Sequence, residues 1–138
     1  MGLLVRTWNL FHGNACPPRR QSYLRSMVEL AAVDRPAVLC LQELPVWALS
    51  RLERWTGMTA ATSVARRPPL PPELAGRLTR LHQGLLRSAV SGQANAILVE
   101  RAHRARDLGE VRISEPGRER RTCHAVGLAT GLVVANLH

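Results

Sequence analysis

The chain has 138 residues, 46% of them hydrophobic, which is enough for one core and excludes an intrinsically disordered segment. Its formal net charge is +9 and all 19 basic residues are arginine, which favours a phosphate-bearing partner such as nucleic acid, although a GC-rich genome would also replace lysine by arginine. No apolar run approaches the roughly 18 residues of a membrane span, and three cysteines without a C-x-x-C spacing indicate neither a disulfide framework nor a zinc site, so we expect a cytoplasmic protein with no transmembrane segment.

The first third of the sequence predicts a strand, a helix and a second strand. The helix has apolar residues at helical spacing, a cap at Ser22 and a stop at Pro36. The second strand is a continuous apolar run, as in a buried parallel strand. The predicted ranges are strand 3–7, loop 13–18, helix 22–34 and strand 37–41.

A strand, helix and strand in about 40 residues form a βαβ unit, whose crossover is right-handed and whose strands are parallel. Asn9 follows the first of these strands and Glu43 follows the second. Both residues should therefore lie at the carboxyl ends of neighbouring strands, where open α/β sheets bind their ligands.

The middle of the sequence predicts two more helices, separated by a strand and a proline-rich loop. Gly57 is the expected stop of the first of these helices. The loop matches an R-x-x-P-x-x-P ligand pattern for aromatic grooves, but it is also typical of a stiff surface connection. The ranges are helix 46–55, strand 58–65, Pro-rich loop 66–72 and amphipathic helix 73–88.

The last part of the sequence predicts four short strands, of which the final two form a hairpin. Together with the first half they give the fold class α/β (α+β), a mixed β-sheet with flanking helices in one domain over residues 1–138. The four strands span residues 95–99, 110–113, 122–128 and 132–137.

Four short motifs carry a resemblance to a known family. In their order and spacing they resemble the N-terminal half of the endonuclease/exonuclease/phosphatase superfamily, the fold of DNase I and its relatives. The resemblance implies half of a two-sheet α/β sandwich with helices outside, and a metal-dependent hydrolase of phosphodiester or phosphomonoester bonds. The motifs are Thr7-Trp8-Asn9, Leu41-Gln42-Glu43, Gly-Gln-Ala-Asn-Ala-Ile-Leu at 92–98 and Val-Val-Ala-Asn-Leu-His at 133–138.

The cofactor that this resemblance implies is Mg²⁺, or Mn²⁺. Magnesium prefers oxygen ligands and binds through one or two carboxylates together with substrate phosphate and water. Glu43 would supply the carboxylate and Asn9 an amide; the alternatives are a solvated charge at a strand end and an Asx turn. His138 aligns with a family histidine that contacts the scissile phosphate, although Leu137 replaces the usual threonine. The implied catalytic residues are thus Asn9, Glu43 and His138.

Two further residues are assigned to substrate binding by the resemblance. Asn95 falls in the third motif, near the rim of the site, with a core-edge amide as the alternative. The phosphate-contacting arginine of DNase I-like enzymes falls at Arg120 or Arg121; the hypothesis takes Arg121, and a solvated loop remains the alternative. The substrate contains phosphate and stays open between DNA, a phospholipid and a nucleotide, and no specific protein partner is predicted.

The sequence lacks two motifs with which the resembling enzymes activate water, G-D-x-N and S-D-H, and no Asp-His pair occurs in it. We therefore expect a partial domain without its C-terminal half, which is not catalytically competent alone and leaves the apolar inner face of its sheet uncovered. The alternative function is a non-catalytic arginine-rich nucleic-acid-binding domain, for which 4% aromatic content offers few stacking partners.

Overall fold

The computed structural model describes residues 2–16, 21–81, 89–115 and 120–138. In this part of the chain two β-sheets pack against each other and the helices lie outside the first sheet. The strands are β1 (Val5–Asn9), β2 (Val38–Leu44), β3 (Thr59–Arg66), β4 (Gln93–Val99), β5 (Arg106–Arg112), β6 (Thr122–Gly127) and β7 (Val133–Leu137). The helices are α1 (Leu24–Ala32), α2 (Leu52–Thr56) and α3 (Pro72–Leu81), with 3-10 turns at Phe11–Gly13, Val46–Arg51 and Arg101–His103.

The first sheet is mixed and has the strand order β1-β2-β4-β3. β1 and β2 run parallel, with Val5 opposite Val38 and Asn9 opposite Gln42, whereas β4 is antiparallel to both of its neighbours. The predicted βαβ unit and the mixed sheet are therefore confirmed.

The second sheet is antiparallel, with the order β5-β6-β7. The predicted hairpin between its last two strands is present, closed by a 2.8 Å hydrogen bond from Leu128 N to Leu132 O. Gly131, with φ 86°, takes the left-handed position in the turn, which glycine adopts without a Cβ penalty.

The two faces of the first sheet bury different parts of the core. Alternate residues of β4 point to opposite faces, so Leu98 packs under the helices while Ile97 packs toward the second sheet. There Ile97 and Cys40 meet Val126 of β6. The expectation of an uncovered inner face is wrong at this point, because the second sheet covers it. Exposed apolar side chains lie instead on β5 and β7: Val111, Val133 and Leu137.

Several predicted boundaries shift in the structure. The second strand runs on past residue 41 to Leu44, and the helix predicted over 46–55 divides into a 3-10 turn and α2, which Gly57 ends with φ 71°. The strand predicted at 110–113 begins at Arg106. All its residues are exposed, so it carries no apolar alternation that would reveal its length.

The helix predicted over 73–88 begins at Pro72 and is described as far as Leu81. Proline suits this first position because its missing N–H would have no helical partner there. Residues 82–88 of that prediction, and residues 17 and 18 of the predicted first loop, lie outside the described residues. None of the helices in the described ranges has the length and apolar content needed to cross a membrane.

Candidate functional site at the rim of the two sheets

Glu43 lies on a β-bulge near the carboxyl end of β2. The pairing with β4 shifts register between Leu41 and Leu44, and Glu43 has φ 53°. In a regular strand Glu43 would share the face of Leu41, which points into the core beneath the helices. The extra residue of the bulge turns the carboxylate out of that core. A left-handed conformation at a non-glycine residue costs about 1–3 kcal/mol and is concentrated at functional sites.

The three predicted catalytic residues come together around one carboxylate oxygen. Asn9 Nδ2 donates to Glu43 Oε1 at 3.0 Å, and His138 Nε2 lies 3.1 Å from the same atom. The side chains of Glu43 and His138 are 20% and 28% exposed, so solvent and a ligand can reach them. The structure thus brings these residues together, while their catalytic roles stay predictions.

The partners of His138 define which nitrogen carries its proton. Gln93 Nε2 lies 3.2 Å from His138 Nδ1, and an amide NH₂ only donates, so Nδ1 accepts this bond. The ionised carboxylate of Glu43 only accepts, so Nε2 is the protonated nitrogen of the neutral ring. The ring therefore presents an N–H donor at the rim.

The side chain of Asn9 has two partners. Its Oδ1 accepts a 3.0 Å hydrogen bond from the backbone N–H of Phe11, which fixes the amide orientation because this N–H can only donate. Its NH₂ group is then left for Glu43. Asn9 therefore makes the Asx-type turn that the sequence offered as the alternative, and it also positions the carboxylate of Glu43. Its assignment as a metal ligand stays a prediction.

The donor set fits a hard cation in one respect. Both hydrogen bonds to Glu43 end on Oε1, and no described residue hydrogen-bonds Oε2. One partly exposed carboxylate oxygen, completed by water and substrate oxygens, suits Mg²⁺. Within the described ranges no three His, Cys, Asp or Glu side chains cluster as a metal site would, so water and substrate would supply most of the coordination.

A buried amide network below Glu43 ties the two sheets together. Gln42 Nε2 donates to Thr7 Oγ1 at 2.9 Å and to Asn136 Oδ1 at 2.6 Å. Asn136, only 2% exposed, donates from Nδ2 to the carbonyls of Leu41 and Ala96, each at 3.1 Å. Gln42 and Asn136 belong to two of the sequence motifs, but no role was predicted for them. The sequence feature that could have indicated their role is a single amide side chain within each apolar strand.

The two residues predicted to bind substrate make no described hydrogen bond or ion pair with this cluster, although Asn95 lies in β4 opposite the bulge that carries Glu43. Asn95 is 1% exposed, and neither atom of its amide has a hydrogen-bond partner among the described residues. Arg121 is exposed and its guanidinium makes no ion pair with a described residue, whereas Arg120 pairs with Glu110 at 2.9 Å. No described hydrogen bond or ion pair joins Asn95 or Arg121 to Glu43, and their binding roles stay predictions.

A histidine–carboxylate pair escaped the sequence analysis, which found no Asp-His pair. His124 Nε2 lies 2.8 Å from Asp107 Oδ1, although the two residues are 17 positions apart. The bulge between Asp107 and Gly109 in β5 brings the carboxylate to β6. The Gly109 N–H donates to Asp107 at 2.8 Å, and this bond and His124 lower the pKa of Asp107. Adjacency in sequence could not reveal a pair formed across strands.

No protein-family model matches the chain, and no curated protein is significantly similar to it in sequence. Solved structures do match its fold. An endonuclease/exonuclease/phosphatase from Beutenbergia cavernae superposes with a TM-score of 0.64 and 19% identity, over 99% of this chain and 38% of that one. A conserved protein of unknown function from Enterococcus faecalis gives 0.61 and 15%, over 97% and 52%.

A humanized TDP2 from D. rerio gives a TM-score of 0.55 and 14% identity, over 98% of this chain and 48% of that one. The chain therefore spans between 38% and 52% of the length of these structures. At such identities the likeness concerns the fold. Over nearly its whole length, the chain resembles the endonuclease/exonuclease/phosphatase proteins and has a part of their DNase I-like fold.

Proposed function

We propose that this chain carries the metal- and phosphate-binding part of a phosphoesterase that hydrolyses phosphodiester or phosphomonoester bonds. The observation that carries the proposal is the Glu43 carboxylate, held at the rim by Asn9 and His138 with Oε2 left without a described protein donor. The likeness in fold to an endonuclease/exonuclease/phosphatase supports it, as does the net charge of +9.

Each residue of the cluster has a separate task in this proposal. Glu43 would hold Mg²⁺ or Mn²⁺, which neutralises charge on a phosphate ester when bound. Asn9 keeps the Glu43 carboxylate at the rim through its NH₂ group. His138, whose Nε2–H bonds Glu43 Oε1 in the structure, would turn this donor to a phosphate oxygen when the Glu43 carboxylate holds the cation, and negative charge grows on that oxygen as the ester bond breaks. Gln93 holds the ring in the tautomer that can donate.

A test of the proposal uses a phosphodiester and a paramagnetic cation together. Mn²⁺ bound beside dimethyl phosphate on the slowly tumbling chain should shorten the ³¹P relaxation times beyond the effect of the same Mn²⁺ concentration without protein. We expect this relaxation with the wild-type chain and at least a tenfold loss with Glu43→Gln, which keeps the size of the side chain and removes its charge. Glu53→Gln changes an exposed glutamate of α2 and should leave the relaxation unchanged.

Equal ³¹P relaxation in wild type and Glu43→Gln would contradict the proposal. The competing function is a non-catalytic arginine-rich nucleic-acid-binding domain. It predicts that DNA binding persists in EDTA, is unchanged by Glu43→Gln and weakens steeply as the salt concentration rises. Hydrolysis of a diester by the chain alone, lost in Glu43→Ala, would show that these residues suffice for turnover and would overturn the expectation of an incompetent partial domain.

A further inference from the structure

The segment that follows Asn9 is a left-handed turn. Phe11, His12 and Gly13 have φ angles of 45°, 54° and 77°. L-residues adopt this conformation at a cost and as single residues, and a bulky residue such as phenylalanine is an outlier there. Two non-glycine residues in succession therefore need strong support from their surroundings.

That support comes from the backbone and from the interior. The turn is closed by hydrogen bonds from Gly13 N to Leu10 O at 2.8 Å and from Asn14 N to Phe11 O at 3.0 Å. His12 is 4% exposed, with Nδ1 3.5 Å from Ser91 Oγ. The turn thus buries the ring of His12.

The same turn leaves the ring of Phe11 outside. All five aromatic residues of the chain lie in the described ranges, and Phe11, at 58% exposure, is the exposed one. The others, which are Trp8, Tyr23, Trp47 and Trp55, are partly buried. An exposed ring adds little to folding, so nothing in the core requires phenylalanine at this strained position.

One side chain connects Phe11 to the candidate site. Asn9 accepts from Phe11 N with Oδ1 and donates to Glu43 with Nδ2, at 3.0 Å in each case. The planar amide has a fixed geometry, so the backbone of Phe11 and the carboxylate of Glu43 are held relative to each other. The residue that carries the exposed ring is thereby held one side chain away from the carboxylate that would bind the cation.

We propose that Phe11 selects substrates in which a nucleobase flanks the phosphate ester, by stacking its ring on that base. The inference rests on the proposed function, and it narrows the substrates of that function to strands or fragments of nucleic acid. Stacking on an aromatic side chain is sequence-tolerant and strengthens binding by about 5-fold to 150-fold per base. Every base has a π-face, so no base-specific hydrogen bond is required.

The experiment compares two single strands with equal numbers of phosphates, a short oligothymidylate and a strand of abasic sites, by fluorescence anisotropy with Mg²⁺. The wild-type chain should bind the thymidylate at least about 5-fold more tightly. Phe11→Gly should abolish that preference without weakening binding of the abasic strand. Because glycine accepts the left-handed conformation, this variant should melt at or above the wild-type temperature.

Two more variants complete the design. Phe11→Trp should keep the preference, and Leu30→Ala, which trims an exposed apolar side chain of α1, should not change it. The inference is overturned if the wild-type chain binds the two strands equally or binds neither of them. It is also overturned if Phe11→Gly still prefers the thymidylate, or if this variant weakens the binding of both strands by the same factor. If abasic binding needs neither Mg²⁺ nor Glu43 while the Phe11-dependent preference persists, the proposed function fails and the stacking role stands.

Discussion

His138 and Glu43 are 95 positions apart in sequence, yet Nε2 of the histidine lies 3.1 Å from Oε1 of the glutamate. Glu43 lies in a strand of the first sheet, and His138 directly follows β7 of the second sheet. The contact therefore depends on the packing of one sheet against the other. A disturbance between the sheets should consequently be felt at the site.

The hydrogen bonds of His138 predict its tautomer. Gln93 donates to Nδ1 and Glu43 accepts from Nε2, so the neutral ring should carry its proton on Nε2. Long-range ¹H–¹⁵N correlation spectra should show this form, and Gln93→Leu should mix the two tautomers because Nδ1 loses its donor. A pure Nδ1–H form in the wild type would contradict the arrangement.

Two buried asparagines should respond in opposite directions to replacement by leucine. Asn136→Leu removes one of the two acceptors of Gln42 Nε2 and the side-chain donor to the carbonyls of Leu41 and Ala96, so we expect a loss of about 3 kcal/mol or more in the free energy of unfolding. Asn95→Leu removes an unpartnered buried amide and should raise stability by about 1 kcal/mol.

Chemical denaturation of both variants measures these changes, and each serves as the matched control of the other. If Asn136→Leu were as stable as the wild type, the amide network would not hold the sheets together. A marked destabilisation by Asn95→Leu would show that the Asn95 amide has a partner at the sheet interface.

Gly13 is the position in the left-handed turn where a Cβ has no room. A Cβ there would lie 2.6 Å from Leu24 Cβ and 2.7 Å from Leu24 N, at φ 77°. Gly13→Ala should therefore lower the free energy of unfolding by about 2–4 kcal/mol. Gly57→Ala is the control, because Gly57 has φ 71° but nothing within 4 Å of its Cβ position, so only about 1 kcal/mol of backbone strain is expected. Thermal melting compares them; equal losses would mean that Leu24 moves aside.

Asp107 should add a small pH-dependent term to stability. Its folded pKa lies below its ordinary value of 3.8, chiefly because the Gly109 N–H donates to it and also because of His124. A lowered folded pKa stabilises the protein above the ordinary value, and the contribution is lost as the pH falls through the folded pKa. The carboxylate is 54% exposed, so screening limits the effect to roughly 0.2–1 kcal/mol.

Asp107→Asn keeps an acceptor for Gly109 and removes the charge. We expect the variant to be less stable than the wild type at pH 7, and the two to converge as the pH falls below 3.8 and through the lowered pKa of Asp107. Urea unfolding at several pH values measures the difference. A constant difference across this range would show that the charge of Asp107 is not the cause.

The sequence could predict those elements whose pattern follows from burial. The helical spacing of Leu24 and Val28 and the apolar run before Gln42 reflect a helix packed on a buried strand, and this unit places Asn9 and Glu43 at one edge of the sheet. The hairpin between β6 and β7 was predictable for the same reason, with a turn that needs glycine at Gly131.

Other features have no local signature. The bulge that turns Glu43 outward contains no glycine that would mark it in the sequence. Every residue of β5 is exposed, so the strand has no alternation of apolar and polar residues that would reveal it. The pairs His124–Asp107 and Gln42–Asn136 each join two different strands, at separations of 17 and 94 positions in sequence. Such contacts follow from strand register and sheet packing, which a single sequence does not display.

The central claim is that Glu43 holds a divalent cation, and a direct titration of Mn²⁺ tests it. Electron paramagnetic resonance reports free Mn²⁺ while the wild-type chain, Glu43→Gln and the control Glu53→Gln are added in turn. The account predicts one Mn²⁺ bound by the wild type and by Glu53→Gln, competed by Mg²⁺, and at least tenfold weaker binding by Glu43→Gln. Undiminished Mn²⁺ binding by Glu43→Gln, or none by the wild type in the presence of dimethyl phosphate, would contradict it.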